Sequence, residues 1–128
     1  MNKPYKPAEY NSVSPYFIVK GTLQFVDLLK QVFNVVEKRR YTNADGSIMH
    51  MELQLDDSIL MMGEASEKYP ANSLLLHVYV QDVDETFRKA IHAGCESVEE
   101  PTQKEGDPDR RGTFKDFAGN IWSVGTQQ

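Results

Sequence analysis

One order of secondary-structure signals occurs twice along this chain, and that repeat constrains its fold more than any other feature. Val13-Ser14-Pro15-Tyr16-Phe17-Ile18-Val19 is rich in β-branched and aromatic residues and reads as a strand. Pro15 stands near its start, where a missing N–H is tolerated. Gly21-Thr22 breaks the strand, and Thr22 is placed to cap a helix. Leu23, Phe25, Val26, Leu29, Val32 and Phe33 then follow at spacings that make one apolar helical stripe. Three short strands are predicted next, at Val35 to Thr42, Ser47 to Leu55 and Ile59 to Gly63. The first of these ends on the hairpin signal Asn43-Ala44-Asp45-Gly46.

After an aperiodic stretch from Glu64 to Ser73 the order returns. A strand is predicted from Leu74 to Val80, and a helix opening at Val83 closes at Ala93-Gly94. Strands follow at Glu96 to Thr102, Arg111 to Phe117 and Ile121 to Gly125. The chain is thus β-α-β-β-β twice: an arm over 1–12, then one domain over 13–128, with modules at about 13–65 and 74–126. One helix per four strands leaves one face of each four-stranded piece uncovered, as a concavity or an interface.

Other classes fall away on composition. A chain of 128 residues, 40% hydrophobic and 26% charged, is one ordinary globular domain. The net charge of −5 and the lack of any basic run longer than Lys38-Arg39-Arg40 argue against nucleic acid as a partner. No apolar run approaches the roughly 20 residues that span a bilayer, and the first dozen residues hold no apolar signal core. No membrane partner is expected. The single cysteine, Cys95, cannot form an internal disulfide, which fits a cytoplasmic location, and following the helix-ending glycine it is not expected to act as a nucleophile.

Several segments carry a resemblance. Val80-Gln81-Asp82-Val83-Asp84 is similar to the V-D-D-V-D/E step into a second helix, and Ala90-Ile91-His92-Ala93-Gly94 to an A-x-x-A-G helix end. Asp116-Phe117-Ala118-Gly119-Asn120 resembles a D-P-x-G-N hairpin, with Phe117 where proline is usual. In that order they resemble the vicinal-oxygen-chelate superfamily of glyoxalases, bleomycin-resistance proteins and dioxygenases. His50-Met51-Glu52-Leu53, Ile59-Leu60-Met61-Met62, Asp109-Arg110-Arg111-Gly112 and Trp122-Ser123 are closer still to its demethylubiquinone-methyltransferase-like subgroup. The resemblance implies an α+β fold: two βαβββ modules forming a curved, mostly antiparallel eight-stranded sheet with helices on the outer face. It also implies a homodimer.

In metal-dependent members, four positions on the first, fourth, fifth and eighth strands hold His, Gln or Glu ligands. By strand register they fall here on Ser14, Met61, Leu75 and Ser123, so neither a metal nor another cofactor is expected. Alternation places Tyr16, His50, Glu52, Met61, His77, Tyr79 and Ser123 toward the cavity, with Arg111 within reach of an anionic ligand. Met49, Met51, Met62 and Trp122 are expected in the core. The expected function is a glyoxalase/bleomycin-resistance-like protein holding a small organic molecule in a concave cavity without metal. Two alternatives stay open: a metal-dependent lyase, isomerase or dioxygenase with an atypical site, and a metal-free enzyme that uses His50 and Glu52 as an acid–base pair.

Overall fold

A computed structural model describes residues 3–128. Its elements run β1 (Tyr16–Val19), α1 (Thr22–Val32), β2 (Val35–Thr42), β3 (Ile48–Leu55), β4 (Ser58–Glu64), β5 (Leu75–Tyr79), α2 (Val83–His92), β6 (Glu96–Gln103), β7 (Asp109–Lys115) and β8 (Ile121–Gln127). The α+β class and the doubled βαβββ order are as predicted. The eight strands form two four-stranded sheets, β1-β4-β3-β2 and β5-β8-β7-β6. In each, the first strand of the module lies at one edge and pairs parallel with the last, and the remaining pairs are antiparallel.

By contacts the chain divides into two compact units, Met1–Gln24 with Asn34–Asn72, and Phe25–Phe33 with Ser73–Gln128. The division falls inside α1. Phe25 in that helix and Phe33 just after it explain the division, because Phe33 packs its ring 5.2 Å from Trp122 and 6.4 Å from Phe114, and Phe25 lies edge-on to Phe117.

In the first unit, register puts Phe17, Met51 and Met62 on one sheet face, with Val19, Leu53 and Leu60 in line with them. All six are buried. Period-two alternation sends their neighbours to the other face, where Arg39, Glu52, Met61 and Tyr16 make a row across all four strands. The expectation that Met49 is core is wrong. The ladder shifts between Tyr41 and Thr42, so His50 pairs with Tyr41 while Ile48 pairs with Thr42, and Met49 is left over. That bulge buries Ile48 and leaves Met49 55% exposed.

The start of α1 is capped from far away in sequence. Its first turn holds no acidic residue. The Glu64 carboxylate, at the end of β4, accepts hydrogen bonds from Gly21 N, Thr22 N and Thr22 Oγ1 at 3.0–3.3 Å. Burial alone would raise this carboxyl, but these bonds outweigh it and hold it below its ordinary value. A charge at a helix N-terminus contributes roughly 0.3–1 kcal/mol.

In the second unit α2 opens on Asp82, whose side chain accepts from Glu85 N, and closes at Gly94, where Cys95 N bonds back to Ala90 O. Val83, Phe87 and Ala90 form its buried stripe, with Phe87 edge-on to Phe114. The Asp116-to-Asn120 turn explains its own sequence. Asp116 accepts from Ala118 N, Asn120 N, Asn120 Nδ2 and Trp122 Nε1, while Asn120 Oδ1 takes Leu74 N at the start of β5. Gly119, at φ +88°, closes the turn where an L side chain would be strained. Trp122 is fully buried, as expected. No helix among the described residues is long and apolar enough to cross a membrane.

Candidate ligand-binding site

On the open face of the first sheet, i and i+2 on β3 point the same way, which brings His50 and Glu52 together. His50 Nε2 lies 2.7 Å from Glu52 Oε2, and His50 Nδ1 lies 2.8 Å from the Tyr16 hydroxyl on β1. One chain of hydrogen-bonding contacts therefore runs Tyr16–His50–Glu52. The pair must reach across β4. It does so above Gly63, where a Cβ would come 2.6 Å from Met49 O and 3.7 Å from Tyr16 Oη.

Glu52 is 4% exposed while Tyr16 is 40% exposed, so a buried charge stands behind an open aromatic. Burial pushes the Glu52 carboxyl up, but hydrogen bonds from Tyr10 and His50 and the charges of His50 and Arg39 hold it below its ordinary value. Arg39 stands 3.8 Å from Glu52 on the facing strand. Burial, and then the nearby Glu52 charge, raise the Tyr16 phenol. Tyr41 completes the rim, its ring 6.1 Å from that of His50. Met61 is half-buried and lies in register with both Tyr16 and Glu52.

The second sheet repeats this bridge with other residues. His77 on β5 accepts a hydrogen bond from Arg111 on β7, across β8 and above Gly125. A Cβ at Gly125 would stand 3.3 Å from His77 Nε2 and 3.6 Å from Arg111 Cγ. By register, His77 and Gly125 hold the positions in their sheet that Tyr16 and Gly63 hold in the first, and Arg111 matches His50. Asp107 and Asp109 grip Arg111 at 2.9 and 2.8 Å. Tyr79 donates to the same Asp109 oxygen, 2.7 Å away, and its ring lies edge-on to His77. Burial and then the Arg111 charge hold the His77 imidazole below its ordinary value. Ser123 is half-buried and in register with His77. Arg110 is held by both oxygens of Asp84.

Sequence reasoning missed Tyr10, Arg39, Asp107 and Asp109. Arg39 carried a parity signal on its predicted strand; Asp109 fell outside the strand predicted from Arg111, and Tyr10 carried no signal. The four positions that the resemblance assigns to a metal site bear a hydroxyl, a thioether, an alkyl group and a hydroxyl at Ser14, Met61, Leu75 and Ser123, a donor set that does not fit a divalent transition metal. Ser14 precedes β1, and Leu75 is 77% exposed. Among the described residues no three His, Cys, Asp or Glu side chains are grouped to hold a metal ion. An open depression of about 470 Å³ in the second unit lies at the α2 C-terminus and the β7–β8 turn, and none of the expected cavity residues lines it.

This fold is that of the glyoxalase/bleomycin resistance/dioxygenase, or vicinal-oxygen-chelate, proteins. Among solved structures, TioX from Micromonospora sp. ML1 is similar with a TM-score of 0.72 and 25% identity, covering 91% of this chain and all of that one. A glyoxalase/bleomycin resistance protein/dioxygenase family enzyme from Burkholderia phytofirmans PsJN has a TM-score of 0.71 at 16% identity, over 88% of this chain and 95% of its own. TnmS3, an antibiotic binding protein from Streptomyces sp. CB03234, has a TM-score of 0.69 at 16% identity, over 93% of this chain and all of its own. In sequence the chain is 27% identical over 125 residues to the uncharacterized protein Mb0911c of Mycobacterium bovis, covering 89% of this chain and 82% of that protein. No family model matches the chain.

Proposed function

We propose that this protein binds a small organic molecule on the open polar–aromatic face of its first sheet, with no metal. One observation carries the reading: a buried, ionised Glu52 stands behind an exposed rim of Tyr16, Tyr41 and half-buried His50. Aromatic edges with a few fixed polar groups are the usual make-up of a small-molecule site. The second sheet offers a face of like kind, with Leu75, His77 and Tyr79 exposed beside the Arg111 cluster. An antibiotic binding protein among the structural neighbours is in keeping with such a role. A homodimer and a cytoplasmic location complete the proposal, and light scattering tests the first.

The test is calorimetric. Protein stripped of metal is titrated with Ni, Zn, Mn and Fe(II), then screened by thermal shift against organic ligands. The reading predicts saturable ligand binding without metal, weakened at least tenfold by His50→Ala. Stoichiometric metal required for binding overturns it.

A second reading is favoured by the 2.7 Å His50–Glu52 contact and the 2.8 Å Tyr16–His50 contact: a metal-free proton-transfer enzyme with Tyr16 as the outermost group of the chain. Under it, Glu52→Gln abolishes turnover of a bound ligand. Under the first reading, the same variant alters affinity only.

A further inference from the structure

Glu52 has one more partner, and it comes from the arm. Tyr10 donates its phenolic hydrogen to Glu52 Oε1, the oxygen His50 does not use. Above the Tyr10 ring, 5.2 Å from its centre, lies the Arg39 guanidinium. A ring held by a cation on its face and by a carboxylate at its hydroxyl is a complete recognition pattern for a phenol. The pattern is filled by a segment that belongs to no strand or helix.

The rest of the arm is held lightly. Lys38 pairs with Glu9 at 3.3 Å, and Asn11 donates to Asp57 O at 3.1 Å, both exposed. Glu9, the residue just before Tyr10, has φ +70°, a left-handed conformation uncommon for a residue with a side chain. The backbone is bent against its preference at the point where it delivers the phenol.

We infer that the seat formed by Glu52 and Arg39 is a binding site for a phenolic ligand, and that Tyr10 is its built-in occupant, displaced when the ligand arrives. This rests on the small-molecule reading above and names its ligand class. The ionised carboxylate requires a donor, and the guanidinium requires a π-face; a phenol supplies both. An alkyl alcohol lacks the face, and toluene lacks the donor. His50 and Tyr16 lie on the other side of Glu52 and stay in place during the exchange.

The experiment uses p-cresol, which is the Tyr10 side chain itself, with toluene as the control. Tyr10→Ala is expected to bind one p-cresol per chain at least tenfold more tightly than the wild type does, and to ignore toluene. Equal affinity in both proteins, equal binding of toluene, or no binding to folded Tyr10→Ala overturns the inference. Should that variant fail to fold, the wild type decides. A glutamate-specific protease cutting after Glu9 is expected to act several-fold faster as p-cresol is added, and a rate unchanged up to the solubility limit overturns the inference. A non-phenolic ligand that needs His50 but leaves the cut after Glu9 unaltered sustains the binding reading while sinking this one.

Discussion

The Tyr16 hydroxyl reaches His50 Nδ1 at 2.8 Å across an intervening strand, and it does so because that strand carries Gly63 beneath them. The same geometry recurs with His77 and Arg111 above Gly125. The two glycines differ in what surrounds them. A methyl at position 63 meets a backbone oxygen at 2.6 Å, whereas one at position 125 first meets a movable imidazole at 3.3 Å. Gly63→Ala is therefore expected to destabilise by about 1–3 kcal/mol, and Gly125→Ala by less. Denaturant unfolding of the two variants checks the order.

Glu52→Gln is expected to cost about 1–3 kcal/mol at neutral pH, since it replaces a charged acceptor of two hydrogen bonds. The cost depends on pH in a defined direction. The native carboxyl titrates below its ordinary 4.5, so its contribution is present in full above that value. As pH falls further, through the native value, the wild type loses that advantage and the two stability curves converge. Curves that stay parallel down to acid unfolding contradict the assignment.

His77 is expected to titrate below 6.5 by NMR, because burial and the adjacent Arg111 both disfavour its cation. Arg111→Met removes the second cause and is expected to move the midpoint upward. An unchanged midpoint means that Arg111 does not sit against the ring in solution.

Asp116→Ala strands Trp122 Nε1, Asn120 Nδ2 and two backbone N–H groups in a buried turn. The expected loss is about 2–4 kcal/mol, larger than for a surface carboxylate. Thermal unfolding followed by tryptophan fluorescence measures it directly.

Cys95 is buried, and burial with the nearby Asp116 charge pushes its thiol up to about 11. It is expected to react with a thiol reagent only at the rate of unfolding. Prompt labelling at neutral pH contradicts that.

What was legible in the sequence follows from what is local. The doubled βαβββ order rests on periodicity within short windows, and the His50–Glu52 pair on parity along one strand. The turn at Asp116 announced itself because its partners lie within six residues. Three features were hidden for the opposite reason. The bulge at Met49 depends on a register shift against β2, which alternation within β3 does not record. The cap on Thr22 comes from Glu64, 42 residues away. Tyr10 reaches Glu52 over the same sequence distance from an arm without any pattern of its own.

The place where α1 divides has a practical side. The repeat invites a cut between Asn72 and Ser73, as if two independent halves could be separated there. A polypeptide beginning at Ser73 would keep every strand of its sheet yet leave behind Phe25 and Phe33, whose rings pack on Phe117, Phe114 and Trp122. The two halves of the repeat are not interchangeable: the later one takes part of its interior from residues of the earlier, and only the uncut chain supplies them.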